Sequence, residues 1–473
     1  MNGHDLIRLG YPSGKAIGIA LQIAAEAVAQ GDSETAVLEA LRAVLADPDR
    51  FSDDPRYKGL AKELIRLRDQ PMAYRLDTYA PYQVWGREQI EHGALQQMER
   101  AVRLPISVRG ALMPDAHQGY GLPIGGVLAT HNAVIPYAVG VDIACRMRLT
   151  IFEASPHLLE QKKERFRKAL EENTCFGAGN AWSVPRQHPV MDDPMWQEHP
   201  VARSLKDIAW KQLGTSGSGN HFVEFGILNV SVPFETAQGA VPAGKYLALL
   251  SHSGSRRFGY EIANHYTQIA MQRHSGLPKD FQHLAWLDLD WSAGAEYWEA
   301  MQLAGRYASA NHAVIHAQLV EAVRLPVLGV VENHHNFAWR EMVDGQELIV
   351  HRKGATPAAE GVLGVIPGSM GDHGYVVRGR GVTASLNSAA HGAGRRMSRA
   401  EAFKRFDWKI IQRKLREKGI EVLSAGLDEV PNCYKDIDEV MAAQADLVET
   451  LASFQPKLVK MDGSPRHSYH PED

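Results

Sequence analysis

Residues 139–152, VGVDIACRMRLTIF, carry a glycine-bearing loop straight into a strand-like run, Met147 to Phe152, and set an Asp-x-x-Cys pair on the junction. Working outward, the same pattern recurs from about Tyr79 onward. YQVWG, PISVRGALM, GGVLAT, KYLALLSHS, QELIVHRKG and HGYVVRGRG are short β-prone runs separated by Gly and Pro turns. Residues 156–173 and the long stretch 291–323 show helical spacing instead. The chain from about Tyr79 thus carries both strand-like and helical runs. The residues able to bind metal sit mostly at strand ends and in the loops that follow, where rigid scaffolds usually place chemistry.

Ahead of this body, AIGIALQIAAEAVAQ, ETAVLEALRAVLA and PRYKGLAKELIRLR repeat apolar residues at helical spacing between turn-forming segments. We therefore expect a helical N-terminal appendage over 1–75, a catalytic domain over 76–463 and a mobile, polar, proline-broken tail over 464–473. Ser13-Gly14-Lys15 lacks the full phosphate-loop pattern and reads as the start of a helix.

With 473 residues the chain can bury a large core. Its formal net charge of −4 forces no nucleic-acid partner, so any basic surface must be local, as at Arg352-Lys353, Arg378 with Arg380, or Arg395-Arg396 with Arg399. KKERFRK, at 162–168, reads as a solvated helical face rather than an RNA-binding strip. Cys145, Cys175 and Cys433 are too few and too scattered for a disulfide framework, which points to a reducing compartment, the cytoplasm. Neither an export signal nor a membrane span is evident.

Asp142 and Cys145, His221 in GTSGSGNHFVEF, His252 in LLSHSGSRRFG, His335 in VENHHNFAW and His391 in AHGAGR stand in separate, mostly glycine-rich loops that only a fold can gather. Thiolate, carboxylate and imidazole together suit zinc, manganese, iron or cobalt better than magnesium alone, and a thiolate between two ions would hold both close enough for phosphoryl chemistry. Each residue alone has an ordinary reading, a buried thiol or a hydrogen-bonded histidine. Glycine lets backbone amides close on a phosphate, so together they favour a phosphate site. His391, beside Gly392, Gly394 and Arg395, could attack phosphorus while amides and guanidinium stabilise the developing charge.

MPDAHQGYGLPIGGVLA, VGVDIACRMRL, GTSGSGNHFVEF, HSGSR, HHN, VHRKGAT, IPGSMG, HGAGRRMSR and NCYKDIDEV, in this order from about Ala111 to Gly463, resemble the RtcB family of GTP-dependent RNA ligases. The resemblance implies that family's α+β fold, with mixed or antiparallel sheets flanked by helices around a central metal cleft. It also implies His391 as the residue guanylylated by GTP, and two Mn2+ ions on Asp142, Cys145, His221, His252 and His335. Asn220 and Asn336 would contact phosphate. The loops Pro367-Gly368-Ser369-Met370 and Gly392-Ala393-Gly394-Arg395 would form part of the GTP site, with Tyr434 and Lys460 at guanine. Asp115 would be the acid near the guanylated histidine, against the alternative of a turn-capping carboxylate, and Glu224 a supporting residue. The implied reaction opens a 2',3'-cyclic phosphate to a 3'-phosphate, passes GMP from His391 to it, and lets a 5'-hydroxyl displace GMP. GTP and RNA are the expected partners of a monomer.

Arg146 after Cys145, Asp372-His373-Gly374 after the PGSMG loop and Ala390 before His391 depart from the family's commonest pattern, so RNA repair stands beside tRNA splicing. Two rival readings are a metal-dependent end-processing enzyme, a cyclic phosphodiesterase or nucleotidyltransferase that does not seal, and a non-catalytic RNA-end-binding protein.

Overall fold

The computed structural model describes residues 2–12, 14–69 and 74–464, so the tail expected from 464 onward lies, after that residue, outside the described residues. Contacts divide the chain into two units, Met1–Tyr74 with Gln272–Leu277, and Arg75–Met271 with Pro278–Asp473. In the first, helices Lys15–Ala29, Glu34–Ala46 and Lys58–Asp69 bury one apolar face each around Ala20, Leu41, Val44 and Leu60. Gly14, at φ +112°, precedes Lys15 as the first of these helices begins. The Ser33 hydroxyl accepts Ala36 N–H at 3.3 Å and caps the second. Gln272–Leu277 belongs with them in space, and His274 Nδ1 meets the Tyr74 hydroxyl at 2.8 Å.

The second unit is built on two sheets. In the larger, the strands run in the order Val327–His334, Arg146–Phe152, Gly244–Ser253, Phe222–Val230, Val448–Met461, Gly374–Gly379 and Leu363–Ile366, each antiparallel to its neighbours. Val448–Met461 also pairs in parallel with Glu421–Ser424. The two end strands meet: Val365 N–H donates to Asn333 Oδ1 at 2.7 Å, so the sheet curls almost into a barrel. Alternation sends Met147, Leu149, Ile151, Ala248, Leu250, Leu228 and Phe454 into its interior. Val223, Phe225, Leu247 and Leu249 pack outward against Ser292–Val323 and Lys163–Asn173.

The smaller sheet has the order Tyr82–Val84, Ser107–His117, Ile124–Thr130, Gln346–Lys353, Asn336–Val343. A single residue, His335, separates the last strand of one sheet ladder, Val327–His334, from the first residue of the other, Asn336. Helices and largely antiparallel sheets give the expected α+β architecture. Among the described residues no helix is long and apolar enough to cross a membrane.

Two local expectations change. Residues 156–173 are not one helix but two, His157–Gln161 and Lys163–Asn173, broken at Lys162, with Lys163 and Arg167 paired to Glu421. Arg352 and Lys353 form no surface patch, because both are buried. Glu341 holds the Arg352 guanidinium with two bonds, at 2.6 and 3.0 Å, over the Trp339 ring.

Candidate functional site

Antiparallel pairing brings four chemistry-bearing positions to one end of the large sheet. Cys145 and His221 stand immediately before strands, while His252 and His335 stand at or just after strand ends. Register pairs Arg146 with both Ser253 and His334, and Phe222 with His252. The result is a chain of side chains. Asp142 Oδ2 lies 3.2 Å from His221 Nε2, Cys145 Sγ lies 3.5 Å from His221 Nε2 and 3.0 Å from His252 Nε2, and His252 Nε2 lies 3.2 Å from His335 Nε2. The His335 and His391 rings follow, 4.9 Å apart.

Cys145, His221 and His252 offer ligand atoms all within 4.8 Å of one another. The His252 Nδ1–H points at the Asn220 carbonyl, 3.2 Å away, so Nε2 carries the lone pair and faces sulfur and a second imidazole nitrogen. Burial holds the His252 and His335 pKa values well below the usual imidazole range, so both rings are neutral donors at neutral pH. Burial alone would raise the Asp142 pKa. His221 and Arg256 outweigh it, and the carboxylate is ionised. Sulfur, imidazole nitrogens and a buried carboxylate oxygen converging here make a donor set that fits a divalent cation. The order of the chain gives Cys145 a neighbour on either side, Asp142 and His221 on one hand and His252 and His335 on the other.

Two glycines make this approach possible. A Cβ on Gly254 would sit 2.0 Å from the Asp142 carboxylate, and one on Gly394, at φ +74°, would sit 2.0 Å from the Asp115 carbonyl. At both positions protein atoms, not the phosphate expected of glycine-rich loops, occupy the space a side chain would take.

Asp115 lies inside the Ser107–His117 strand, fully buried, rather than capping a turn. Its Oδ2 accepts from His391 Nδ1 at 2.6 Å and from the His391 backbone N–H at 3.1 Å. With Nδ1–H donated to a carboxylate, His391 presents the Nε2 lone pair, the form a nucleophile needs. Glu224 is buried in the large sheet, and burial raises its pKa well above the ordinary carboxyl range.

The remaining expected residues have partners of their own. Asn336 Nδ2 donates to the Asp142 carbonyl at 3.2 Å and its Oδ1 accepts Gly354 N–H at 2.8 Å, bracing the ligand loop. Asn220 contributes the carbonyl that orients His252. Ser369 bonds Asp372 and accepts Gly371 N–H at 3.2 Å, Met370 packs against Ile411 and Cys433, and the Pro367 carbonyl would meet a Cβ on Gly392 at 3.4 Å. Thus the Pro367–Gly371 and His391–Arg395 loops are neighbours. Gly368 lies under His373, whose carbonyl would be 2.3 Å from a Cβ there, and Ala393 is buried in the core.

The Arg395 guanidinium does not reach outward. It donates to the Asp428 carbonyl at 2.9 Å, pairs with Glu429 at 3.5 Å and lies 5.3 Å from the Tyr434 ring centroid. Tyr434 donates to Glu429, which Arg399 also holds. Lys460 Nζ donates to the Leu170 and Glu171 carbonyls, at 3.1 and 3.3 Å, in the last turn of the Lys163–Asn173 helix.

Sequence reasoning missed Arg256, buried beside His221 Nδ1 at 3.2 Å, and Ser255, whose N–H donates to Asp142 Oδ1 at 3.0 Å, although both lie in the HSGSR run. It also missed Glu332, which neutralises Arg146 and Arg148 and so turns the added charge away from Cys145.

A family model described as tRNA-splicing ligase RtcB matches residues 97–462. The RNA-splicing ligase RtcB of Escherichia coli (strain K12) is 33% identical over 407 residues, covering 79% of this chain and 95% of that protein. The tRNA-splicing ligase RtcB of Nanoarchaeum equitans is 32% identical over 441 residues, covering 78% and 91%. That of Thermococcus kodakarensis is 29% identical over 431 residues, covering 76% and 89%.

Proposed function

This chain belongs to the RtcB family of RNA ligases, and on that premise we propose that it uses GTP and Mn2+ to join an RNA 3'-phosphate or 2',3'-cyclic phosphate to a 5'-hydroxyl, in RNA repair or tRNA splicing. The observation that carries the reading is His391, its Nδ1 fixed by buried Asp115 at 2.6 Å and its ring 4.9 Å from His335 at the edge of the Cys/His cluster. A nucleophile next to a candidate metal site is the arrangement that nucleotidyl transfer requires.

His391 Nε2 attacks the α-phosphorus of GTP. A P–N bond forms, the bond to the bridging oxygen breaks, and pyrophosphate leaves. The Nδ1 proton stays on His391, and the Asp115 carboxylate that accepts its hydrogen bond stabilises the positive charge that grows on the ring, as carboxylates do for catalytic histidines. GMP then passes to the RNA 3'-phosphate, and His391 recovers its lone pair. The 5'-hydroxyl attacks the activated 3'-phosphorus, loses its proton, and displaces GMP. Two Mn2+ on Asp142, Cys145, His221, His252 and His335 would supply polarised phosphoryl oxygens and a lowered pKa for the attacking hydroxyl. Asn220 and the Pro367–Met370 and Gly392–Arg395 loops line the nucleotide side, Asn336 steadies the Asp142 loop, and Tyr434 and Lys460 are assigned to guanine. Glu224, on the strand Phe222–Val230 that follows His221, is a supporting residue. We assign the protein to the cytoplasm as a monomer, with residues 1–75 an appendage to the catalytic domain of 76–463.

The test is incubation with labelled GTP and Mn2+, with His391→Ala as control, followed by RNA bearing 3'-phosphate and 5'-hydroxyl ends. Covalent label absent from the variant, with RNA joined, supports the ligase. Label without joining replaces it with an end-processing enzyme, and no label under any metal removes the guanylylation step.

A further inference from the structure

A groove of about 720 Å³ is lined by Gly371, Arg396, Lys414, Lys418, Asn432 and Lys457 among others. It shares its walls with the proposed nucleotide loops: Gly371 ends the PGSMG loop, Arg396 follows Arg395, and Lys435 N–H donates to the Gly394 carbonyl at 3.0 Å. One wall is the helix Trp408–Glu417, which buries Ile411 and Leu415 and leaves Lys414 exposed. Residues 399–418 hold eight Lys and Arg against three Asp and Glu, in a chain of net charge −4, and Lys414 and Lys418 of these line the groove.

The acids of the groove are occupied. Asp372 takes Ser369 and Lys418, Asp438 takes His373 and Tyr375, and Asp436 accepts Asp438 N–H at 2.9 Å at the start of a helix. Among the described residues, Arg396, Lys414 and Lys457 have no carboxylate partner. They come from three separate elements: the loop after His391, the Trp408–Glu417 helix and the Val448–Met461 strand. A single small anion calls for donors from one converging nest, whereas cations distributed along an open groove suit a chain of phosphates.

We propose that this groove carries the sugar-phosphate backbone of the RNA substrate, with Arg396, Lys414 and Lys457 neutralising phosphates. The proposal rests on the ligase reading and supplies the track by which the strand approaches the reacting end. Of the basic clusters that the sequence suggested, one supplies Arg396 to this groove, whereas Arg352 and Lys353 are buried and Arg378 pairs with Glu449 at 3.2 Å.

The test compares the full-length protein with R396Q/K414Q/K457Q by fluorescence anisotropy on a single-stranded RNA ending in a 3'-phosphate, between about 50 and 200 mM salt. GMP labelling of His391 is measured in parallel. The expected result is a dependence of log affinity on log salt that is shallower by roughly 2, affinity weaker by ~10–100-fold and labelling unchanged. A charge-matched control, R42Q/K58Q/K62Q, alters exposed cations of the N-terminal helices and should keep the wild-type slope. Unchanged RNA affinity in the groove variant overturns the proposal, as does an equal loss in the control. Loss of GMP label together with RNA affinity also overturns it, because the groove would then serve the nucleotide. If the wild type takes no label, the ligase reading fails by itself, and the difference in RNA affinity still decides the groove.

Discussion

Cys145, His221, His252 and His335 are placed by the ladder of one sheet, whereas the loops around Gly368, Gly394 and Glu429 are placed by side chains reaching across to them. In the first region position follows from register, and a change of ligand alters chemistry without moving backbone. In the second, Asp115, Arg395, Arg399 and Glu429 tie separate segments together, so one lost charge changes where these loops sit. Departures from the family's commonest pattern can be compared in the same way. Arg146, on the sheet, is absorbed by Glu332, and Asp372, in a loop, has recruited Ser369 and Lys418.

Breaking the sheet half should have the largest effect. Cys145→Ala should leave the fold intact and remove metal from the purified protein, lowering ligation by ~10³-fold or more, since changes even beyond the ligands cost 10–100-fold at metal sites. Metal analysis beside a circular dichroism melt checks it, and full metal content in the variant would deny Cys145 a ligand role. Asp115→Asn probes the other half. It should cut GMP labelling by roughly 10²–10⁴-fold while metal content stays at the wild-type level, because only the histidine's tautomer and charge are disturbed. A parallel fall in metal would show that the two halves are not independent.

Acid should act on the scaffold of both. Burial holds His312 at about 3 and His351 at about 4, below the ordinary imidazole value, so the unfolded chain binds more protons between those values and about 6.5. Stability therefore falls as pH drops below about 6.5, by ~1.4 kcal/mol per pH unit for each ring, or ~2 kcal/mol each at pH 5. Urea melts should show that slope, and His351→Gln should reduce it by one histidine's share. Arg399→Met should give the smallest change, a rise of ~10-fold in KM for GTP with kcat nearly kept, because it releases Glu429 and through it Tyr434.

The sheet half was the more legible in sequence. Alternating runs identified the strands, and the Asp-x-x-Cys pair and the three histidines that the fold gathers stood near their ends, so this cluster could be named without coordinates. Pairing order could not be read, since a strand pattern says which face is buried and not which neighbour it meets. The loop half was less visible. Asp115 looked equally like a turn cap until its strand met His391, and Arg395 looked available to phosphate until Asp428, Glu429 and Tyr434 surrounded it. Nor did any local pattern reveal that Gln272–Leu277 joins the N-terminal helices.

His335 has one further consequence, for what evolution can edit. It is the sole residue between strands of two different sheets. Inserting or deleting one residue there would reverse which side chains of Asn336–Val343 face the core. The same edit would displace an imidazole from the Cys/His cluster. Length variation is thus penalised twice at this point, so the His334-His335-Asn336 junction should hold its spacing even where the surrounding sequence drifts.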